Sequence, residues 1–173
     1  MTGAPRIETP RLILRAHTLT DFEPFARMMS DPAVVRFLGD GKPFNRYQAW
    51  LRFLRSPGSW QLLGFGYWAL EEKASGAFVG EAGCVDLKRD APLRDMTEVG
   101  WLLAPSAMGR GFATEAAQAV LAWGRGSFGA KRILCVIHPD NRPSIRVAEK
   151  CGFRKAMSVD CAGQPRLVFD RVL

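Results

Sequence analysis

The sequence is poor in the residues that build metal and disulfide sites. It has two histidines and four cysteines among 173 residues, and no two cysteines stand in a C-x-x-C spacing. A structural zinc site needs a tight cluster of such ligands, so we expect no metal. Cys84 and Cys135 lie in apolar runs, where a reduced cysteine packs as a small hydrophobic residue. We therefore expect reduced, structural thiols.

Long apolar runs and low-complexity segments are also missing. No stretch of about 18 consecutive apolar residues occurs, so no transmembrane helix is expected. The first fifteen residues lack the apolar core of a secretory signal, which favours a cytoplasmic location. With 47% hydrophobic and 24% charged residues, the composition is that of one globular domain over residues 1–173.

The charge is strongly positive without being clustered. Arginine outnumbers lysine by 18 to 6, and the formal net charge is +7. Such an excess favours an anionic partner. The basic residues are spread from Arg6 to Arg171, and no nucleic-acid-reading motif accompanies them. The sequence thus favours a phosphate-bearing small molecule over nucleic acid, and leaves both a monomer and a homodimer open.

Capping and turn signals divide the first half of the chain into helices and antiparallel strands. Thr20, followed by Glu23, is a capping box that predicts a helix start. The run Ser56-Pro57-Gly58-Ser59 predicts the end of a later helix. The predicted elements are a strand at 7–15, helices at 20–30, 31–38 and 45–55, and strands at 66–71 and 77–87.

The second half contains a strand, a glycine-bearing turn, a helix and another strand. Strands at 97–103 and 131–137 flank a helix at 115–128, and such a unit makes its two strands parallel neighbours. A helix at 143–151 follows. The segments 154–159 and 167–173 then predict a closing hairpin around a turn at 162–165.

The turn Gly109-Arg110-Gly111 is the strongest local signal of a ligand. A strand followed by glycines and a helix presents free backbone N–H groups at the positive end of the helix dipole. Thr114 adds a hydroxyl, and a pyrophosphate fits these donors best. Thr114 replaces the third glycine of a dinucleotide fingerprint, and the Gly-Lys-Ser/Thr of a P-loop does not occur. Taken alone, the pattern also fits a simple tight turn.

Five segments together carry a resemblance to a known family. They are TPRLILR at 9–15, DPAVVRFLG at 31–39, Gly100-Trp101 with GRGFATEA at 109–116, HPDNRPS at 138–144 and EKCGF at 149–153. In this order they resemble the GNAT N-acetyltransferase superfamily, and within it the Rim-type branch that acetylates ribosomal-protein N-termini.

The resemblance implies an α+β fold of three layers. Its central sheet is mixed and mostly antiparallel, splayed between the fourth and fifth strands, with helices on both faces. The pantetheine arm of acetyl-CoA would lie in that gap. Met108 stands where the family loop usually begins with Gln or Arg, so it offers no charge to the phosphates. The residues implied to bind the cofactor are Trp101, Leu102, Leu103, Met108, Gly109, Arg110, Gly111, Phe112, Ala113, Thr114, Asn141 and Ser144.

The resemblance also implies catalytic roles. Acetyl transfer needs a base for the amine, a donor for the oxyanion and an acid for the thiolate. Glu98 matches a family position used for the base, and the backbone N–H of Leu102 is the implied oxyanion donor. Ala148 replaces the tyrosine that many members use as acid, which leaves Ser144. Exposed-strand and helix-capping roles remain the alternatives for Glu98 and Ser144.

The acceptor is expected to be a primary amine, either a protein N-terminus or a small molecule. Phe37, Tyr47 and Trp50 are the candidate contacts for it, although the helix carrying Tyr47 and Trp50 also fits a purely structural role. Two other readings stay open. One is a non-catalytic module that senses coenzyme A or binds RNA, and the other is an acyltransferase for a drug amine or a bulkier acyl group.

Overall fold

Eight strands form one mixed sheet in the computed structural model, which describes residues 3–89, 92–128, 131–161 and 163–173. The strands are β1 (Ile7–Glu8), β2 (Leu12–Arg15), β3 (Tyr67–Glu72), β4 (Phe78–Val85), β5 (Glu98–Leu103), β6 (Arg132–Ile137), β7 (Arg154–Cys161) and β8 (Gln164–Val172). The helices are α1 (Phe22–Met29), α2 (Pro32–Val35), α3 (Arg46–Leu63), α4 (Phe112–Phe128) and α5 (Arg142–Lys150).

The sheet order is β1-β2-β3-β4-β5-β6-β8-β7, and it confirms the expected architecture. The strands from β1 to β5 are successively antiparallel, β5 and β6 are parallel, and β7 forms an antiparallel hairpin with β8. Ala162, in the predicted hairpin turn, lies outside the described residues. The predicted single strand at 7–15 is divided into β1 and β2, which pair with each other. The expected opening between the fourth and fifth predicted strands therefore lies between β5 and β6, the parallel pair.

Helices cover both faces of the sheet, as expected. On one face, α4 packs its buried Ala116 and Val120 against the strands, in a core that includes Trp68. On the other face, α1 and α3 form a second cluster around Phe25 and Phe53. Because side chains alternate along a strand, successive residues of β5 point to different layers.

The prediction that the third helix ends at residues 56–59 is wrong, because α3 continues through Pro57 to Leu63. A proline inside a helix costs about 3 kcal/mol, since a backbone hydrogen bond is lost. Trp60, one turn later, offsets this cost. Its ring is 5% exposed, lies 4.5 Å from Trp68 between centroids, and donates its indole N–H to the Tyr67 carbonyl at 3.0 Å.

The first helix also starts differently from the prediction, because Thr20 is not its cap. A 3₁₀ turn at Leu19–Asp21 precedes α1, and the Asp21 carboxylate accepts the Thr18 N–H at 2.8 Å. The same carboxylate pairs with Arg15 at 2.7 Å. This ion pair from β2 fixes the turn, which the local sequence does not show. Elsewhere, α2 is shorter than predicted, and α4 begins three residues earlier, at Phe112.

Candidate active site

The sheet opens between β5 and β6. These strands pair only at Glu98 and Leu134 among the described residues, with the Leu134 N–H donating to the Thr97 carbonyl at 3.1 Å. Beyond this point a cavity of about 570 Å³ lies between them. Its size is in the range of small-molecule and cofactor sites.

Most of the sequence-predicted cofactor residues line this cleft. The structure brings Trp101, Leu102, Leu103, Met108, Gly109, Gly111, Ala113, Thr114, Asn141 and Ser144 to its wall. Arg110 and Phe112 are not among the lining residues. The cleft therefore collects residues from β5, the following loop, α4 and α5 in one place.

The loop before α4 has the backbone geometry of an anion site. Gly109 and Gly111 adopt left-handed conformations, with φ of +75° and +83°, which residues with a Cβ adopt only at a cost. The N–H groups of the first turn of α4 have no intrahelical partner. They lie beside Thr114 at the cleft, where the helix dipole favours negative charge.

Arg110 and Phe112 hold this loop in place rather than face the cleft. Arg110 pairs with Glu72 on β3, and this hydrogen bond lowers the pKa of the Glu72 carboxyl. The Phe112 ring is 1% exposed, and the guanidinium carbons of Arg110 and Arg11 lie 4.5 and 4.8 Å from its centroid. The charge of Arg110 is thus partly satisfied within the protein.

Glu115 is a loop-supporting residue that sequence reasoning missed. Its carboxylate accepts hydrogen bonds from the Thr9 hydroxyl at 2.6 Å, the Arg11 N–H at 2.8 Å and Arg11 Nε at 2.7 Å. Burial opposes its ionisation, but these bonds outweigh it, and the pKa of Glu115 lies below its ordinary value. The first turn of α4 is therefore tied to the β1–β2 turn.

Glu98, the predicted base, lies at the closed end of the β5–β6 gap. It is 7% exposed and forms an ion pair with Arg89. It does not line the cleft, whereas Val99 and Gly100 do. The alternation along β5 places Glu98, Gly100 and Leu102 on one layer. Glu98 is therefore close to the cleft's end but already engaged by a guanidinium.

Asn141 and Ser144 lie together at the start of α5. Asn141 caps the helix, with its side-chain oxygen accepting the Ser144 N–H at 3.2 Å. Both residues line the cleft. No hydrogen bond of the Ser144 hydroxyl is seen within the described part of the chain, so this group is available to a ligand.

Of the three residues predicted to contact the acceptor, only Phe37 is among the described residues that line the cleft. Phe37 lines the cleft, and its ring lies 5.1 Å from that of His138, which lines the cleft too. Tyr47 is 69% exposed on the outside of α3. Trp50 packs edge-on against Phe22 at 4.9 Å. Neither Tyr47 nor Trp50 is part of the cleft wall.

Tyr67 is the central residue that sequence reasoning did not find. It pairs with Gly83, which pairs with Gly100 in turn. The phenol extends across these two glycines, so that a Cβ at Gly100 would lie 2.2 Å from the Tyr67 hydroxyl oxygen. Burial, followed by the nearby charge of Glu81, raises the pKa of Tyr67. The hydroxyl thus stays protonated beside a glycine that lines the cleft.

The described residues include free cysteines but no cluster of metal ligands and no membrane-spanning helix. All four cysteines are free thiols, and Cys135 lies in the cleft wall. Within ranges 3–89, 92–128, 131–161 and 163–173, no three side chains of His, Cys, Asp or Glu group as metal ligands. None of the helices found there is both long and apolar enough to span a bilayer.

Comparison with known proteins gives one consistent family. The model of the acetyltransferase (GNAT) domain matches residues 11–154. The uncharacterized N-acetyltransferase YoaA of Bacillus subtilis is 30% identical over 151 residues, which cover 87% of this chain and 84% of YoaA. A protein from Bordetella pertussis, named as a GNAT-family acetyltransferase, superposes with a TM-score of 0.84 at 31% identity, covering 97% of this chain and 99% of its own.

A ribosomal-protein acetyltransferase has the same fold at lower identity. The structure of RimL, the ribosomal L7/L12 α-N-protein acetyltransferase, in complex with coenzyme A superposes with a TM-score of 0.79. Identity is 15%, and the match covers 98% of both chains. At this identity the likeness concerns the fold.

Proposed function

Because the chain belongs to the GNAT acetyltransferase family, we propose that it moves the acetyl group of acetyl-CoA to a primary amine by direct attack in a ternary complex. The observation that carries this proposal is the glycine turn at the start of α4, which opens onto the 570 Å³ gap between β5 and β6. The amine belongs to a protein N-terminus or a small molecule. The four free thiols suit a reducing compartment such as the cytoplasm.

The residues at the cleft fit coenzyme A. The N–H groups from Gly109 to Thr114 would hold the pyrophosphate. Gly109 leaves room for it, because no protein atom lies within 4 Å of the position that a side chain at Gly109 would occupy. The open edge of β5 at Trp101–Leu103 would pair with the amides of the pantetheine arm. Bound acetyl-CoA supplies a thioester, whose carbonyl carbon is the electrophile.

The amine must lose its proton before it attacks, since a protonated amine has no lone pair. An α-amine has a pKa near 8, so a carboxylate acting through water suffices. We assign this role to Glu98, at the closed end of the gap, where Arg89 holds the carboxylate in place. The resemblance implied the Leu102 N–H as the oxyanion donor, but Leu102 pairs with Glu81 on β4 and its N–H points away from the gap. We assign the oxyanion that forms as the amine adds to the N–H groups of β5 that face the gap, at Trp101 and Leu103.

Departure of the thiolate completes the transfer. The C–S bond breaks as the tetrahedral carbon collapses to the amide, and the sulfur takes a proton. Ser144 lines the cleft, and its hydroxyl has no partner among the described residues. We assign to this hydroxyl a proton relay, in which it donates to the sulfur while it accepts the proton that the attacking nitrogen loses as the amide forms. The alternative role for Ser144 is that of a helix-start residue with no part in the chemistry.

The test is thiol release from acetyl-CoA with a panel of N-terminal peptides and small amines. We expect Glu98→Gln to lower kcat at neutral pH by roughly 10²-fold, the usual contribution of a general base, with coenzyme A affinity retained. Ser144→Ala should lower kcat less. The matched controls are Glu149→Gln and Ser158→Ala, at exposed positions outside the cleft.

Four outcomes decide between the alternatives. Coenzyme A binding without thiol release from any amine would favour a sensing module over an enzyme. An unchanged kcat in Glu98→Gln would remove Glu98 from the mechanism, and full activity in Ser144→Ala would do the same for Ser144. The identity of the acetylated product, read by mass spectrometry, decides between peptide and small-molecule acceptors.

A further inference from the structure

A polar chamber lies between α3 and the sheet, on the layer that carries Glu98. Its wall consists of Arg52, Arg55, Ser56, Ser59, Tyr67, Glu81 and Val85. The chamber opens to solvent at the exposed Arg55. Its innermost free space is about 10 Å³, which is room for about one water molecule or one oxygen of a ligand. The larger cleft is a separate cavity, and Gly100, which lines it, lies against the hydroxyl of Tyr67 in the chamber wall.

The carboxylates at the chamber already have cationic partners. Glu81 is 3% exposed, and one of its oxygens accepts a hydrogen bond from Arg52 Nη2 at 2.9 Å. Its other oxygen lies 3.8 Å from His17 Nε2. Glu98 is paired with Arg89. Both acidic groups are thus satisfied within the protein.

Arg55 is the cation left over. Neither a hydrogen bond nor an ion pair of its guanidinium is found in the described ranges, although it lines the chamber and stays open to solvent. Arg55 is exposed overall, but the part of its side chain that lies in the chamber is desolvated, and this, followed by the charge of Arg52, lowers the pKa of Arg55. Burial also lowers the pKa of His17, which leaves that ring uncharged at neutral pH. Three arginines therefore face two carboxylates, and one positive charge is unbalanced.

We propose that Arg55, together with the Tyr67 hydroxyl, binds a carboxylate of the acceptor, so that the preferred substrate is a primary amine carrying a carboxylate a few bonds away. The inference rests on the proposed acetyl transfer and names its substrate class. A guanidinium presents paired donors that match a carboxylate. The protonated phenol of Tyr67 adds one donor more. Because that phenol touches Gly100, a carboxylate held there leaves the amine of the same small molecule near the cleft.

Both a free amino acid and the acidic N-terminus of a peptide have this chemistry. Two sets of acceptors distinguish them. The first pairs free amino acids with their carboxamides. The second pairs C-terminally amidated peptides that have a single Asp or Glu, at either the first or the second position, with the same peptides carrying Asn or Gln there. Each pair differs in one carboxylate, so the ratio of kcat/KM within a pair measures recognition of that group.

The variants are Arg55→Gln, Arg55→Lys and the control Arg125→Gln, an exposed arginine on α4. We expect the parent protein to prefer the carboxylate member of at least one set by roughly 10- to 100-fold, the worth of one or two charged hydrogen bonds. Arg55→Gln should lose this preference through KM, Arg55→Lys should keep part of it, and Arg125→Gln should keep all of it. Coenzyme A affinity, measured by titration calorimetry, should be equal in the parent and all three variants.

The failures are distinguishable. Acetylation of both members of every pair at equal rates would overturn the carboxylate assignment and leave the acetyltransferase proposal standing. The same holds if Arg55→Gln retains the preference, or if Arg125→Gln loses as much as Arg55→Gln. Coenzyme A binding without thiol release from any amine would overturn the proposed function, and the substrate assignment with it.

Discussion

Replacing Gly100 by alanine is expected to destabilise the protein by about 1–3 kcal/mol, the usual cost of overpacking a well-packed site. The new Cβ would lie 2.2 Å from the Tyr67 hydroxyl oxygen and 3.2 Å from the ring carbon that bears it. An ordinary contact is about 3.5–4 Å, so the phenol would have to leave its place across the sheet. Most of this steric clash is with one atom, the hydroxyl oxygen of Tyr67.

Removing that oxygen should therefore rescue the substitution. Tyr67→Phe alone is expected to change stability by less than about 0.5 kcal/mol, because its hydroxyl makes no hydrogen bond in the described part of the protein. In the double variant the nearest ring carbon is 3.2 Å away, which a small ring shift relieves. We expect a favourable coupling of about 1–2 kcal/mol between the two substitutions.

Urea unfolding of the four proteins, followed by circular dichroism, measures this coupling. Gly126→Ala is the control for glycine replacement itself, since no atom lies within 4 Å of its Cβ position on α4. That variant should gain about 0.5–1 kcal/mol of stability. Additive effects of Gly100→Ala and Tyr67→Phe would refute the placement of the phenol over Gly100.

Two further predictions concern the loop at the cofactor cleft. Gly109→Ala should weaken coenzyme A binding up to about tenfold, because about 1–2 kcal/mol of strain at φ of +75° favours a relaxed free loop over the conformation that would hold the pyrophosphate. The control is Gly163→Ala, at φ of +77° in the distant β7–β8 turn, which should lower stability without changing coenzyme A affinity. Equal affinities of the two variants, measured by calorimetry, would contradict the role of Gly109 in binding. Glu115→Gln should cost about 1–3 kcal/mol at pH 7, since it removes the charge that binds Thr9 and Arg11. The folded-state pKa of Glu115 is depressed, so its contribution is complete above the ordinary value of 4.5 and fades as the pH falls below it; a stability difference that persists at pH 3 in urea titrations would count against that ion pair.

Local patterns in the sequence predicted most of the strands and helices and the glycine turn, and the family resemblance implied the opening of the sheet and the residues of the cleft. The strand, glycine turn and helix around Gly109 form one contiguous unit, and their geometry follows from backbone chemistry over a few residues. Asn141 and Ser144 likewise belong to one helix start. The residues of the glycine turn and of the start of α5 lie at the cleft because the helix that carries them begins there.

Features that depend on distant partners could not be predicted in this way. Pro57 signals a helix end, but contacts of Trp60 with another layer keep α3 going. The position of Tyr67 depends on two glycines in other strands, and nothing near Tyr67 in the sequence indicates them. The Arg89 pair of Glu98 is also tertiary, since Arg89 lies on the loop before β5.

The open gap beside β5 links the stability of the folded protein to what is bound there. On the side of the gap, β5 presents N–H and C=O groups without strand partners, as an edge strand does, and proteins usually cover or block such edges. Any molecule that lies along β5 completes the sheet, and binding to the folded state raises its resistance to unfolding by mass action. Without such a molecule, β5 and β6 are joined in the described residues only at Glu98 and Leu134, and the folded chain lacks that added stability.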